Sequence, residues 1–139
     1  MKKFLGLAIL LSVATASAKG TIVKLSDVTG KTTLIKVANR TVNGKAQTML
    51  VDSAGLSLYT FDFDQADRSN CQGACLNEWP PQHAPANVTV AKPFGRIKGN
   101  DGQPQLTLNG RALYHYNDDK KPGDVFGQYP QWDTVVVVK

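Results

Sequence analysis

The chain has 139 residues, of which 42% are hydrophobic and 19% charged, with a formal charge of +5. That length suits one ordinary hydrophobic core. The charge does not make a nucleic-acid binder, because beyond Lys2-Lys3 the densest basic run is Lys120-Lys121, and phosphate recognition needs several cations on one face.

The first residues read as a secretory leader. Lys2 and Lys3 form a basic start, Phe4 to Val13 an apolar run, and Ala16-Ser17-Ala18 a small-residue cleavage site. Cleavage there predicts a mature chain starting at Lys19, with the charge falling from +5 to +3 as the two lysines leave. The apolar run is short of the roughly 20 residues a membrane-spanning helix needs. No cysteine lies near the cleavage site to carry a lipid, since Cys71 and Cys75 are the only two. The expectation is a soluble exported protein, periplasmic or secreted, with neither a transmembrane segment nor a lipid anchor.

Downstream, short runs of Val, Ile, Thr and aromatic residues alternate with Gly, Asn, Asp and Pro, the signature of strands and turns. The predicted strands are 21–25, 34–37, 47–51, 56–61, 88–91, 105–108, 112–116 and 134–138, and no segment reads as a helix. Asn109-Gly110 sits between two alternating runs and predicts a type I′ hairpin, which requires positive φ at both central positions. Asp52-Ser53-Ala54-Gly55 occupies the equivalent place as a longer loop. The polar stretches 62–87 and 117–133 read as long loops, which are commonly functional or stapled.

One pattern occurs twice. Gly55, Leu58, Tyr59, Phe61 and Asp64 fall without a gap on Gly110, Leu113, Tyr114, Tyr116 and Asp119. Gly73 and Trp79 follow the first copy much as Gly127 and Trp132 follow the second. A repeat of this kind defines architecture. On the motif strand, Tyr114 and Tyr116 face one way and Leu113 and His115 the other, because side chains alternate along a strand. The copies therefore predict an all-β fold, a single compact sandwich or small barrel from two pseudo-repeated hairpin units with long loops. The domain plan is a leader at 1–18 and one β domain at 19–139. Within it, 19–46 adds edge strands, 47–92 forms the first repeat and 93–139 the second.

Tyr-x-(Phe/Trp/Tyr)-x-x-Asp at Tyr59–Asp64 and Tyr114–Asp119 resembles the signature of a bacterial secreted-repeat family of predicted lipoproteins of unknown function. Cys71-Gln-Gly-Ala-Cys75, Trp79-Pro80-Pro81, Asp101-Gly102, Leu106–Arg111 and Lys121-Pro-Gly-Asp124 are similar to its recurring landmarks. The resemblance covers about residues 47–139 and implies no settled activity, cofactor or catalytic residue.

Four sets of side chains are candidates for sites. Cys71 and Cys75, in an exported protein, are expected to form a structural disulfide; the rival reading is a redox-active dithiol working with Trp79. Asp64 and Asp119 are expected to close their own loops, each bonding the Tyr five residues earlier or capping its own turn. The rival reading is a Ca²⁺ site from Asp62, Asp64 and Asp67 or from Asp118, Asp119 and Asp124, although neither set follows the EF-hand spacing. Tyr59, Phe61, Tyr114 and Tyr116 read as core. Trp79, beside two prolines and the Cys loop, reads as the aromatic that is partly exposed, and Trp79, Trp132 and His115 are candidate ligand contacts. His83, His115 and Met49 offer soft-metal ligands, but no spacing gathers them. No Ser-His-Asp, Cys-His or phosphate-loop signature is present. The functional expectation is an exported, non-enzymatic envelope accessory or binding domain, its partner an envelope protein or small ligand, with no cofactor. The alternatives are a thiol–disulfide or electron-transfer protein and a Ca²⁺-binding domain.

Overall fold

In a computed structural model, residues 20–139 are described, and the leader at 1–18 lies outside them. The elements in chain order are β1 (Thr21–Lys24), α1 (Leu25–Val28), β2 (Ile35–Val42), β3 (Lys45–Asp52), β4 (Tyr59–Phe61), α2 (Ala74–Glu78), β5 (Phe94–Lys98), β6 (Pro104–Leu108), β7 (Arg111–Ala112) and β8 (Trp132–Val138). Among the described residues the fold is all-β, in two sheets with no closed barrel. The first sheet has the order β1-β8-β3-β2, with β4 also on β8, and the second the order β5-β6-β7. β1 runs parallel to β8, while the other paired strands are antiparallel.

The hairpin at Asn109-Gly110 forms as its sequence requires. Both residues have positive φ, 51° and 80°, and Leu108 pairs with Arg111 across the turn. In the first copy, Asp52 builds the longer loop. Its Oδ1 accepts the backbone N–H groups of Ala54 and Leu56, both at 2.9 Å, and Val51 then pairs with Ser57.

Several predicted strands change. Residues 88–91 form no strand; they belong to a loop whose carbonyls at Ala84, Pro85 and Val88 accept the Arg96 guanidinium. Residues 112–116 reduce to β7 and the isolated pairings of Tyr114, because Tyr114 meets Tyr59 and Pro81 rather than one continuous partner strand. β4 is correspondingly shorter than 56–61. β5 was not expected, since Gly95, Arg96 and Lys98 interrupt its apolar pattern; its register with β6, from Phe94↔Leu108 to Lys98↔Pro104, holds it. The two short helices were also not expected, and each is about a single turn.

The alternation along the motif strands decides where the cores lie. Leu58 and Leu113 are fully buried in an aliphatic core with Val23, Ile35, Leu50, Phe94, Leu106 and Val135. The next residues, Tyr59 and Tyr114, enter a second core with Trp79, Tyr116, Trp132 and Cys71. Adjacent residues thus serve opposite faces, and each motif strand is covered on both. Burying one such side chain stabilises by about 1.5–3 kcal/mol.

Candidate functional site

The copies meet at their tyrosines. Tyr59 N–H donates to the Tyr114 carbonyl at 2.8 Å and Tyr114 N–H to the Tyr59 carbonyl at 2.9 Å. This reciprocal pair of bonds relates the repeats by a local two-fold. Each Tyr strand takes a second neighbour on its far side: Tyr59 pairs with Thr134 and Phe61 with Trp132, while Tyr114 pairs with Pro81 and the N–H of His115 donates to the Pro80 carbonyl. Trp132 and Trp79 therefore occupy equivalent places, one after each copy.

The side chains follow the same symmetry, with an exchange. The Tyr59 hydroxyl donates to Asp119 Oδ2 at 2.6 Å, and the Tyr114 hydroxyl donates to Asp64 Oδ2 at 2.7 Å. Each Tyr bonds the Asp of the other copy, not the Asp five residues on. The antiparallel Tyr–Tyr contact accounts for this: each ring is carried across the two-fold toward the opposite loop. The second carboxylate oxygen closes the loop, Asp119 Oδ1 accepting from Phe126 N–H at 2.8 Å and Asp64 Oδ1 from Asn70 N–H at 2.7 Å. Gly127 N–H donates to the Tyr59 oxygen, and Ser69 Oγ bonds the Tyr114 oxygen. Both tyrosines are fully buried, and both aspartates are nearly so.

Burial raises the Asp64 and Asp119 carboxyls above the usual carboxylate range, against the lowering effect of their hydrogen bonds. Burial also raises the Tyr59 and Tyr114 hydroxyls far above the usual phenol value, and their carboxylate partners add to the rise. In each pair the phenol keeps its proton and donates it to a carboxyl oxygen.

Between the pairs lie the two indoles. Trp79 and Trp132 stack with ring centroids 3.8 Å apart and planes 2° from parallel. Tyr59 meets Trp79 edge-on at 5.5 Å, and Tyr114 meets Trp132 edge-on at 5.1 Å. Phe61 covers the far face of Trp132 at 4.2 Å, and Tyr116 packs on Trp79 at 4.6 Å. Trp79 is 3% exposed, so the expectation that it is partly exposed is corrected. Stacking on Trp132 buries it, a contact between residues that only the tertiary fold brings together.

Cys71 and Cys75 are bonded, with sulfurs 2.02 Å apart. Cys71 is fully buried in the aromatic core, and Cys75 packs at its edge in α2. The Asp-rich loops do not converge on a cation site. Asp124 accepts the N–H groups of Lys120 and Lys121 and the Lys121 ammonium, Asp67 adopts positive φ in its turn, Asp62 N–H donates to the Gln131 carbonyl, and Asp118 is exposed. Among the described residues no group of three or more His, Cys, Asp or Glu could hold a metal ion. His115 Nε2 lies 2.7 Å from Gln82 Oε1, His83 pairs with Asp101, and Met49 is buried in a separate cluster.

The aromatic core reaches the surface beside a shallow cleft of about 340 Å³ lined by Asn43, Gln128, Tyr129, Pro130, Trp132 and Asp133. Tyr129 is 47% exposed, and its ring packs on Tyr116 and Trp79. Tyr129, Asn43 and Gln128 were not anticipated. Ser69 carries no sequence signal, whereas Gly127 was visible in the repeat alignment.

A family described as a secreted repeat of unknown function matches the chain over residues 40–82 and 95–129. The chain belongs to this family. The first match contains Tyr59, Asp64, the disulfide and Trp79; the second contains Tyr114, Asp119 and Gly127 and ends before Trp132. No curated protein and no solved structure matches the chain. No helix among the described residues is long and apolar enough to cross a membrane.

Proposed function

We propose that this member of the secreted-repeat family is a non-enzymatic accessory or binding domain of the cell envelope, exported after removal of residues 1–18. The observation that carries the reading is the fate of the repeated motif. Tyr59, Tyr114, Asp64 and Asp119 are buried and use their polar atoms on one another and on loop backbone. Groups held in that way support a fold and are not free to meet a substrate. The working surface is then elsewhere, and the cleft at Asn43, Gln128, Tyr129 and Trp132 has the composition of a contact site: an exposed phenol, an indole edge and two side-chain amides. Cys71 and Cys75 act as a staple on the loop that carries Asn70, the backbone partner of Asp64.

Photo-crosslinking in the producing cell tests this. A photoreactive residue at Gln128 should trap a discrete adduct that the same residue at Lys98, exposed on the other sheet, does not. The same adduct pattern at both positions, or none at Gln128, would remove the cleft as the contact site.

A further inference from the structure

The aromatic core is arranged for more than packing. Its oxidisable rings are connected: Tyr129 to Trp79 at 6.1 Å directly, or through Tyr116 by steps of 5.6 and 4.6 Å, Trp79 to Trp132 at 3.8 Å, then Trp79 to Tyr59 at 5.5 Å and Trp132 to Tyr114 at 5.1 Å. The far end of the indole stack is closed by Phe61, which is not readily oxidised. Among the described residues of this series, Tyr129 alone is exposed, at 47%. The series thus has one redox-active opening to solvent, a buried Tyr116 whose hydroxyl, among the described residues, meets only the Tyr129 hydroxyl, and two buried ends that meet a carboxyl group. Each buried end is a phenol donating to a carboxylate, at 2.6 Å for Tyr59–Asp119 and 2.7 Å for Tyr114–Asp64.

A phenol loses an electron far more easily when its proton has an acceptor already in place. Here the acceptor is built in, and the charge balance favours the transfer. With its carboxyl ionised, each pair carries one buried negative charge before oxidation. Afterwards it is a neutral phenoxyl beside a neutral carboxylic acid, and burial disfavours the charged form. Burial already draws Asp64 and Asp119 toward protonation.

We infer that the stacked tryptophans and the two exchanged Tyr–Asp pairs form a one-electron relay, which takes oxidising equivalents from an oxygen-centred radical or other one-electron oxidant at Tyr129 and holds them on Tyr59 or Tyr114. The steps balance. The oxidant gains one electron from Tyr129, whose phenol proton goes to solvent. Trp79 returns that electron, Tyr129 recovers a proton from solvent, and the hole is shared by the two indoles. Tyr59 then passes an electron to Trp79 and its proton to Asp119 Oδ2; by the equivalent route Tyr114 serves Trp132 and Asp64. A thiol or other one-electron reductant resets the pair by returning the electron as the proton moves back from Asp119 to the Tyr59 oxygen. The relay makes no use of the cleft's binding role and does not depend on it.

Flash photolysis of the purified chain, with a photogenerated ruthenium(III) polypyridyl complex as oxidant, tests the relay. The expected course is a brief indole radical followed by a persistent tyrosyl radical. Tyr129→Phe, a surface change, should abolish the fast rise of both signals. Tyr59→Phe combined with Tyr114→Phe should keep the indole signal and lose the persistent tyrosyl. Asp119→Asn combined with Asp64→Asn should do the same with every tyrosine present, with circular dichroism reporting whether the fold is retained. If these buried variants do not fold, Tyr129→Phe and the wild-type time course still decide. An unchanged rise in Tyr129→Phe, or a wild-type radical confined to Tyr129, would overturn the relay.

Discussion

Tyr59 donates its hydroxyl to Asp119 at 2.6 Å, across 60 residues of chain, and makes no such bond to the Asp64 of its own copy. Tyr114 and Asp64 repeat the exchange in the opposite sense. The motif is therefore a clasp between repeats, and neither copy can satisfy it alone.

The clasp predicts which residues are energetically coupled. Tyr59→Phe leaves Asp119 Oδ2 and the Gly127 N–H short of a partner and should cost about 1–3 kcal/mol, the usual penalty for an unsatisfied buried group. In denaturant melts, a double-mutant cycle of Tyr59→Phe with Asp119→Ala should give a coupling of about 0.5–3 kcal/mol. Tyr59→Phe with Asp64→Ala should come within about 0.5 kcal/mol of additivity. The reverse ranking would show that each copy closes on itself.

The two glycines that follow the copies should not behave alike. A Cβ on Gly127 would lie 2.8 Å from Tyr59 Cζ and 2.9 Å from Tyr116 Cβ, whereas one on Gly73 meets nothing within 4 Å. Gly127→Ala should destabilise by about 1–3 kcal/mol or more through overpacking. Gly73, at φ 59° and ψ −125°, meets no such crowding, and Gly73→Ala should cost about 1–3 kcal/mol through backbone strain alone. Thermal melts of the two variants make the comparison.

The buried carboxyls set the pH dependence. Asp64 and Asp119 have raised values, chiefly through burial, so the native state takes up their protons more readily than the unfolded chain does. Their stabilisation is full below the unfolded value near 3.8 and is lost as pH rises through the folded value. Asp124 runs the other way. The Lys120 N–H and then the Lys121 ammonium hold it below 3.8, so its contribution is present above that value and is lost as pH falls through the folded one. Through Asp64 and Asp119 stability declines as pH rises above 3.8, while His115, whose imidazole burial holds below its ordinary value of 6.5, adds stability as pH rises toward that value. In urea melts across about pH 4–7, Asp119→Asn should lose less midpoint toward neutrality than the wild type does. An Asp119→Asn variant whose midpoint follows the wild-type pH profile in parallel would contradict the assignment.

Reduction tests the staple. Closing so short a loop stabilises by about 2 kcal/mol on the chain-entropy account. Cys71→Ser/Cys75→Ser should therefore melt earlier by that amount, and mass spectrometry after alkylation should find no free thiol until the protein is reduced. Two alkylated cysteines in the unreduced native protein would refute the bond.

Much of the architecture was legible in the chain. The Asn109-Gly110 turn, the alternation that sends Leu58 and Tyr59 to opposite cores, and the duplicated motif are all local patterns. Local patterns survive folding because turn chemistry and side-chain alternation are properties of neighbouring residues. β5 was missed for the same reason: with Gly95 and Arg96 in its middle it has no local pattern, and its pairing with β6 creates it.

The partnerships within the site were not legible. Spacing suggested that each Tyr would reach the Asp five residues on, because separation along the chain was the only geometry available. The antiparallel bonds between Tyr59 and Tyr114 decided otherwise by turning each ring toward the opposite repeat. The same two-fold brought Trp79 onto Trp132 and buried it. The sequence by itself determined the two like halves, their turns and their inward faces. Only the tertiary structure decided that the halves exchange their hydrogen bonds, because that choice belongs to contacts between residues fifty or more positions apart.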